Sequence, residues 1–258
     1  MSDQALAGAV ALVTGATGVV GAATARRLAR EGVAIGLVAL PRQRLDELTL
    51  DLSKAGVVAM KIEADISHPD QAVEAVEVVV DRFARLDILV NSSEVMLFGT
   101  ALHTAVDTWD RMVAHNIQAL IHVTHAAVPY LIDAAATSVR GVADIVNVSS
   151  TAGRVARPGR SVYNLTKLGA IGFSEALRQE LLVEHVRVGV VEPGPVGTDP
   201  ADLFDDVALS RETGLARRVE ALPADDVADA IAYIVTRERR VAVNEIVVRS
   251  GCPPFRRG

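Results

Sequence analysis

Tyr163 is followed four residues later by Lys167 inside a run of helical period over 162–184, so the two side chains share one helix face a single turn apart. The chain holds three tyrosines and three lysines, and Tyr130 and Tyr233 have Ala134 and Arg237 at that offset. A phenol ordinarily ionises near pH 10, too high for ready proton exchange at neutral pH. A neighbouring ammonium stabilises the phenolate and lowers that value. Tyr163 is therefore expected to give a proton to a carbonyl oxygen, or take one from an alcohol, while a hydride moves at the adjoining carbon. Ser150 stands thirteen residues before Tyr163, beyond the β-branched run 145–149 and across a loop rich in Gly, Arg and Pro. Such a loop can fold back, and the Ser150 hydroxyl would then hold the substrate oxygen by hydrogen bond.

A second constellation offers a place for a hydride carrier. The run 10–14 leads straight into Thr14, Gly15, Ala16, Thr17, Gly18, Val19, Val20 and Gly21, after which a helical pattern begins. Glycines let a backbone come close to a pyrophosphate, and the free amides and positive dipole end of a helix start bind its charge. Glycines also mark ordinary tight turns; what favours the phosphate here is the position in the first strand-to-helix unit. Lys167 would then also hold the ribose of a bound nicotinamide.

These residues need a frame. Short β-branched runs at 10–14, 34–40, 57–62, 88–91, 145–149, 186–192 and 246–249 alternate with helical patterns at 20–30, 69–83, 108–135, 162–184 and 224–236. Strict rotation of strand and helix predicts a parallel sheet of about seven strands covered on both faces, with ligands beyond the carboxyl ends of the strands. Each motif falls at such an end. No internal repeat or second domain stands out, so 1–258 reads as one domain, and the irregular stretch 197–214 is placed to act as a lid over a pocket.

Composition narrows the partners. The 258 residues are 50% hydrophobic and 22% charged, enough for a large core. Net charge is -6 and the arginines are scattered, which disfavours nucleic acid. Cys252 is the only cysteine, which excludes an internal disulfide and suits a reducing, cytoplasmic setting. The uncharged stretch 4–25 holds Gly8, Gly15, Gly18 and Gly21 and lacks a basic leader, so it reads as strand, turn and helix start rather than a membrane segment. His115, His122 and His125 share one helical run without carboxylate or cysteine company, so helix packing is expected rather than a metal.

Taken together these residues resemble the short-chain dehydrogenase/reductase family over nearly the whole chain, with a Rossmann-type doubly wound sheet. The glycine turn resembles the family's first motif and Leu86 to Asn91 the approach to its second. Asn116, Ser150, Tyr163 and Lys167 match its catalytic tetrad. The resemblance implies that Asn116 helps to hold a water relaying protons to Lys167. It also implies cofactor contacts from Gly15, Thr17, Gly18, Val20, Gly21, Asp65, Ile66 and Asn91, with Asp65 at the adenine, and from Pro193, Gly194, Val196 and Thr198 at the nicotinamide carboxamide. Family members commonly pair their long helices across subunits, so a homodimer or homotetramer is expected.

Nucleotide choice should be made just after the second strand, where an acid bonds a ribose 2′-hydroxyl and an arginine favours a 2′-phosphate. Ala39 stands where NAD-preferring relatives carry aspartate, and Arg42 is near enough to meet a phosphate. This favours NADP(H) over NAD(H) on charge grounds, the alternative for Arg42 and Arg44 being a solvated helix start. Two positions depart from the family pattern: Val19 replaces a glycine, and Ser92-Ser93-Glu94 replaces Asn-Ala-Gly. Glu94 would repel the cofactor, point to the substrate or sit in solvent. The carboxyl-terminal run 243–249 resembles the branch containing 3-hydroxy acid dehydrogenases and clavaldehyde reductase. A pocket framed by 94–98, 154–160 and 194–209, with Met96, Leu97, Phe98, Val155 and Leu203 as apolar lining, suits a small or medium carbonyl or secondary alcohol. The competing reading is a dinucleotide-binding sensor or scaffold with weak or lost catalysis.

Overall fold

The computed structural model describes residues 5–40, 42–197 and 221–251. Its strands are β1 (Val10–Thr14), β2 (Ala34–Ala39), β3 (Ala59–Glu63), β4 (Ile88–Asn91), β5 (Ala143–Val148), β6 (Val186–Pro193) and β7 (Glu245–Val248). They form one sheet in the order β3-β2-β1-β4-β5-β6-β7, and every pairing is parallel. A parallel sheet is covered on both faces, so its strands read as continuous apolar runs; β1, β4 and β6 are buried at every residue.

Side-chain alternation sorts those runs between two cores. Ala11, Val13, Ile88, Val90 and Val146 face a cluster with α1 (Val19–Arg30), α2 (Arg42–Lys54) and α7 (Ala224–Val235). Val10, Leu12, Leu89 and Ile145 face the opposite cluster, built with α3 (Pro69–Phe83), α5 (Ala119–Thr137) and α6 (Ser161–Leu181). The chain steps outward from β1 to β2 and β3, then returns to set β4 on the other flank of β1. At that reversal the connections leaving β1 and β4 diverge, which opens a crevice between their carboxyl ends.

The expected helix over 108–135 divides into α4 (Val106–Val113), a π turn at Ala114–Gln118, and α5. A π turn inserts one residue into the helical ladder and is a common device at functional sites; Asn116 sits inside it, buried. The run 106–137 is long and apolar enough to cross a membrane by composition. Its buried residues, including Val123, Ala127 and Leu131, instead pack in the second core beside α3.

The end of the sheet opposite the crevice is tied by charge. Asp144, fully buried at the start of β5, accepts from Arg187 Nε at 2.7 Å and Nη2 at 3.1 Å, and from Arg140 Nη2 at 2.7 Å. Arg187 also donates to the carbonyls of Val235, Arg237, Glu238 and Val241, where α7 ends and its dipole is negative. Removing one partner of a buried ion pair leaves the other charge uncompensated, at about 3–5 kcal/mol. Asp144→Ala is therefore expected to lose that much stability in urea unfolding while the crevice keeps its ligand affinity. A loss below about 1 kcal/mol would show that water replaces the carboxylate.

Candidate active site

Beyond β5 the chain passes through Ser149 and Ser150, makes a 3-10 turn at Thr151–Gly153, and enters α6. Gly153 allows a close approach: a Cβ there would lie 2.7 Å from Ile171 Cδ1 and 3.1 Å from the Lys167 carbonyl. The buried Ser149 hydroxyl donates to that same carbonyl at 2.8 Å. These contacts dock α6 on the end of β5 with Tyr163 and Lys167 both buried. Lys167 Nζ donates to the Val148 carbonyl at 3.2 Å and stands 2.6 Å from Glu94 Oε2. The Tyr163 hydroxyl donates to the same Glu94 oxygen at 3.3 Å. Ser150 accepts from the Ala152 amide at 3.1 Å and reaches the Pro193 carbonyl at 3.4 Å. Phe98 packs edge-on against the Tyr163 ring at 5.8 Å, and the Arg160 guanidinium covers Phe98 at 4.3 Å.

Asn116 reaches this cluster by holding a loop. Its side chain accepts from the Val95 amide at 2.7 Å and donates to the Val95 carbonyl at 2.9 Å and to Thr166 at 3.2 Å. Thr14 at the end of β1 accepts from the Ser92 and Ser93 amides at 3.1 and 3.3 Å. The backbone on either side of Glu94 is thus pinned, which aims its side chain at α6. Beside Lys167, a small partly open cavity of about 10 Å³ is lined by Asn91, Asn116 and Asn147. Asn91 donates there to Thr124 and Asn147, while its Oδ1 has no protein partner; Asn91 lies in this interior ladder and does not line the crevice.

The crevice itself has a volume of about 330 Å³, within the range of small-molecule sites. Gly15, Thr17, Gly18, Val20, Gly21 and Ala39 line one side, and Asp65 and Ile66 the far end. The turn requires its glycines. Gly15 has φ +61°, and a Cβ on it would sit 2.6 Å from the Ser92 carbonyl oxygen; one on Gly21 would sit 2.3 Å from the Gly15 oxygen. α1 begins after Gly18 with no side-chain cap, so its first amides are left for a ligand. Val19, where the family pattern has glycine, is 56% exposed and lines the crevice beside Gly18. A dinucleotide's pyrophosphate fits such a start.

Several neighbours were not foreseen. His115, expected to pack within a helix, lines the crevice from the π turn, and Arg44 lines it near Ala39. Arg154, expected to frame a pocket, instead makes a bidentate pair with fully buried Glu192 at 2.6 and 2.7 Å and also contacts Glu245, tying the loop after Ser150 to β6 and β7. The Arg42 side chain, Thr198, Leu203 and nearly all of the expected lid over 197–214 lie outside the described residues. Pro193 ends β6, the Gly194 amide donates to the Val248 carbonyl at 2.8 Å, and Val196 bridges Leu222.

Electrostatics correct one expectation. Burial pushes the Tyr163 phenol up, Lys167 pulls it down, and Glu94 pushes it up again, leaving it at about 12 rather than below 10. The ammonium does favour the phenolate, but its charge is shared with a carboxylate 2.6 Å away. For Lys167, burial favours the neutral amine, yet Glu94 and Tyr163 outweigh it and hold the ammonium above its ordinary value. For Asp65, burial raises the carboxyl, but hydrogen bonds from Ser67 and the charges of His115 and His68 bring it below the usual range.

Comparison with known proteins places this geometry. A family model described as short chain dehydrogenase matches residues 9–206. A 3-oxoacyl-[acyl-carrier-protein] reductase of Thermotoga maritima is 29% identical over 94% of this chain and 96% of its own. A glycine betaine reductase of Emericella nidulans is 33% identical over 97% of this chain, which spans 19% of that protein's length. Among solved structures, a short chain dehydrogenase of Burkholderia cenocepacia in complex with NADP is similar at a TM-score of 0.83, with 30% identity over 95% of this chain and 98% of its own.

Tyr163 can be isolated for titration by replacing Tyr130 and Tyr233 with Phe. At about pH 10.5, where an ordinary tyrosine is more than half ionised, tyrosinate absorbance is expected to be nearly absent. Ionisation with a midpoint at or below 10 would contradict the raised value.

Proposed function

The chain belongs to the short-chain dehydrogenase family, and from that membership we propose that it transfers a hydride between NADP(H) and a small or medium carbonyl or secondary alcohol. The observation that carries the reading is the buried Tyr163–Lys167 pair, set beside a crevice whose glycine turn suits a dinucleotide. The amides opening α1 would bind the pyrophosphate, Asp65 and Ile66 would meet the adenine, and Lys167 would hold the nicotinamide ribose. An ammonium has three donors, and Val148 and Glu94 take two. When bound, the nicotinamide supplies or accepts the hydride.

The protein's own residues handle the proton. Tyr163, protonated throughout the neutral range, donates to the carbonyl oxygen during reduction, and Lys167 stabilises the phenolate left behind. Ser150 orients the substrate oxygen, with its hydroxyl turning from the Pro193 carbonyl to do so. Asn116 fixes the loop facing Tyr163, and the cavity beside Lys167 is the place for the relaying water. The whole chain is read as one domain with 197–214 as a lid, working in the cytoplasm. Val106, Ile121, Leu165 and Leu168 expose apolar surface on α4 to α6, which supports assembly as a homodimer or homotetramer.

NADP(H) is preferred because, among the described residues, no acid lines the crevice where β2 ends, whereas Arg44 does; the similar Burkholderia cenocepacia structure is a complex with NADP. A second reading, a dinucleotide-binding sensor with weak turnover, is favoured by the Glu94–Lys167 contact, which draws the ammonium's charge away from Tyr163.

Tyr163→Phe separates the two. It is expected to lower carbonyl reduction by about 10²–10⁴-fold while nucleotide affinity, measured by fluorescence titration, stays within about threefold. Unchanged turnover would refute the proton role, and tight nucleotide binding without any turnover by the unaltered protein would favour the sensor. Arg44→Ala should weaken NADPH about tenfold more than NADH, a difference of about 1.4 kcal/mol. Equal losses would place Arg44 away from the phosphate, and the same comparison with Arg42→Ala would show whether that residue holds it instead.

A further inference from the structure

Glu94 gives the buried Lys167 its carboxylate partner, yet its own side chain is not buried. Its backbone is fixed on one side by Thr14 and on the other by Asn116. Its side chain is 41% exposed, yet Oε2 touches both buried groups, Tyr163 at 3.3 Å and Lys167 at 2.6 Å, the latter only 4% exposed. Glu94 is therefore an ionisable group that contacts the phenol and also reaches water. The other titratable or charged groups around it are His115, Arg44 and Asp65, which line the same crevice, and Arg160, which is stacked on Phe98.

We infer that Glu94 is a further proton relay between Tyr163 and solvent, on the crevice side, separate from the water path beside Lys167. The inference rests on the hydride-transfer reading above and deepens it. After a carbonyl has taken the Tyr163 proton, the Glu94 carboxylate takes a proton from hydronium or a buffer acid in solvent; that new O–H bond then breaks as an O–H bond forms on the phenolate, which returns Glu94 to the carboxylate. In alcohol oxidation the same path runs outward, from the Tyr163 hydroxyl to Oε2 and on to water. No electrons move in either step. The observed hydrogen bond has Tyr163 donating to Oε2, so the oxygens between which the proton would pass are already in contact. Lys167 holds Oε2 at 2.6 Å, and its charge favours the ionised form of either oxygen. Glu94 acts through Tyr163, so it is a positioning and relay group rather than a catalytic residue.

Glu94→Gln preserves shape and removes proton transfer. With the whole chain, NADPH and a carbonyl that the unaltered protein reduces, the first turnover should stay within about twofold of normal. Steady-state kcat should fall at least tenfold, its dependence on pH should flatten, and added formate should restore it, because a small carboxylic acid can replace the relay. Unchanged kcat would overturn the inference. So would equal falls in first turnover and kcat without formate rescue, or tighter NADPH binding with faster turnover, which would mark the carboxylate as an obstacle on Lys167. An independent reading needs no turnover. In the apo chain carrying Phe at 130 and 233, Glu94→Gln should shift Tyr163 ionisation from about 12 towards its ordinary value, since Glu94 raises it. An unmoved midpoint would show that the carboxylate is not coupled to the phenol. Failure of the unaltered protein to reduce any carbonyl with either nucleotide would instead sink the hydride-transfer reading, with the ionisation shift still deciding the coupling.

Discussion

An ammonium buried in protein must be surrounded by oxygen, because the cost of stripping its water is several kcal/mol and falls only on an uncompensated charge. Lys167 meets that demand with the carbonyl of Val148 and the carboxylate of Glu94. The first partner exists because β5 ends at Val148 and α6 lies against that end. The second exists because β1 and the π turn hold the loop after β4 in place. Four elements thus meet on one nitrogen, and loosening any of them would leave a charge without a counterpart.

The same convergence explains why the site lies where it does. A parallel sheet whose strand order reverses beside β1 must open between the ends of β1 and β4. The glycine turn occupies one lip of that opening and the Ser92–Val95 loop the other, with Gly15 and Ser92 too close to admit a side chain between them. One opening therefore has the helix-start amides on one lip and, across from them, Glu94 and Val148, both of which contact the Lys167 ammonium. Charge at the opposite end of the sheet, on Asp144 and Arg187, holds β5, β6 and α7 together without entering the site.

Much of this was legible in the chain. Strand positions followed from β-branched runs because each strand is buried on both faces, and the four-residue offset of Tyr163 and Lys167 needed only the period of a helix. The glycine turn was visible because backbone conformation and close approach leave glycine as the residue that fits. What was hidden depended on distant partners. The π turn at Asn116 breaks a periodicity that otherwise continues smoothly from 106 to 137. Glu94 lies 69 positions from Tyr163, so its contact had no local signature; the raised phenol follows first from burial and then from that carboxylate. Arg154 looked like a pocket residue until β6 supplied the buried carboxylate of Glu192.

The central claim is that Lys167 is a charged ammonium in a dry place, shared by an acid and a phenol. Nitrogen-15 resonances of the lysine side chains test it directly, because the chain contains only Lys54, Lys61 and Lys167. The Lys167 signal should keep ammonium character up to and beyond the ordinary lysine value near 10.4, in the direction set by Glu94 and Tyr163. A neutral amine at pH 7, the outcome if burial alone governed the group, would contradict the account.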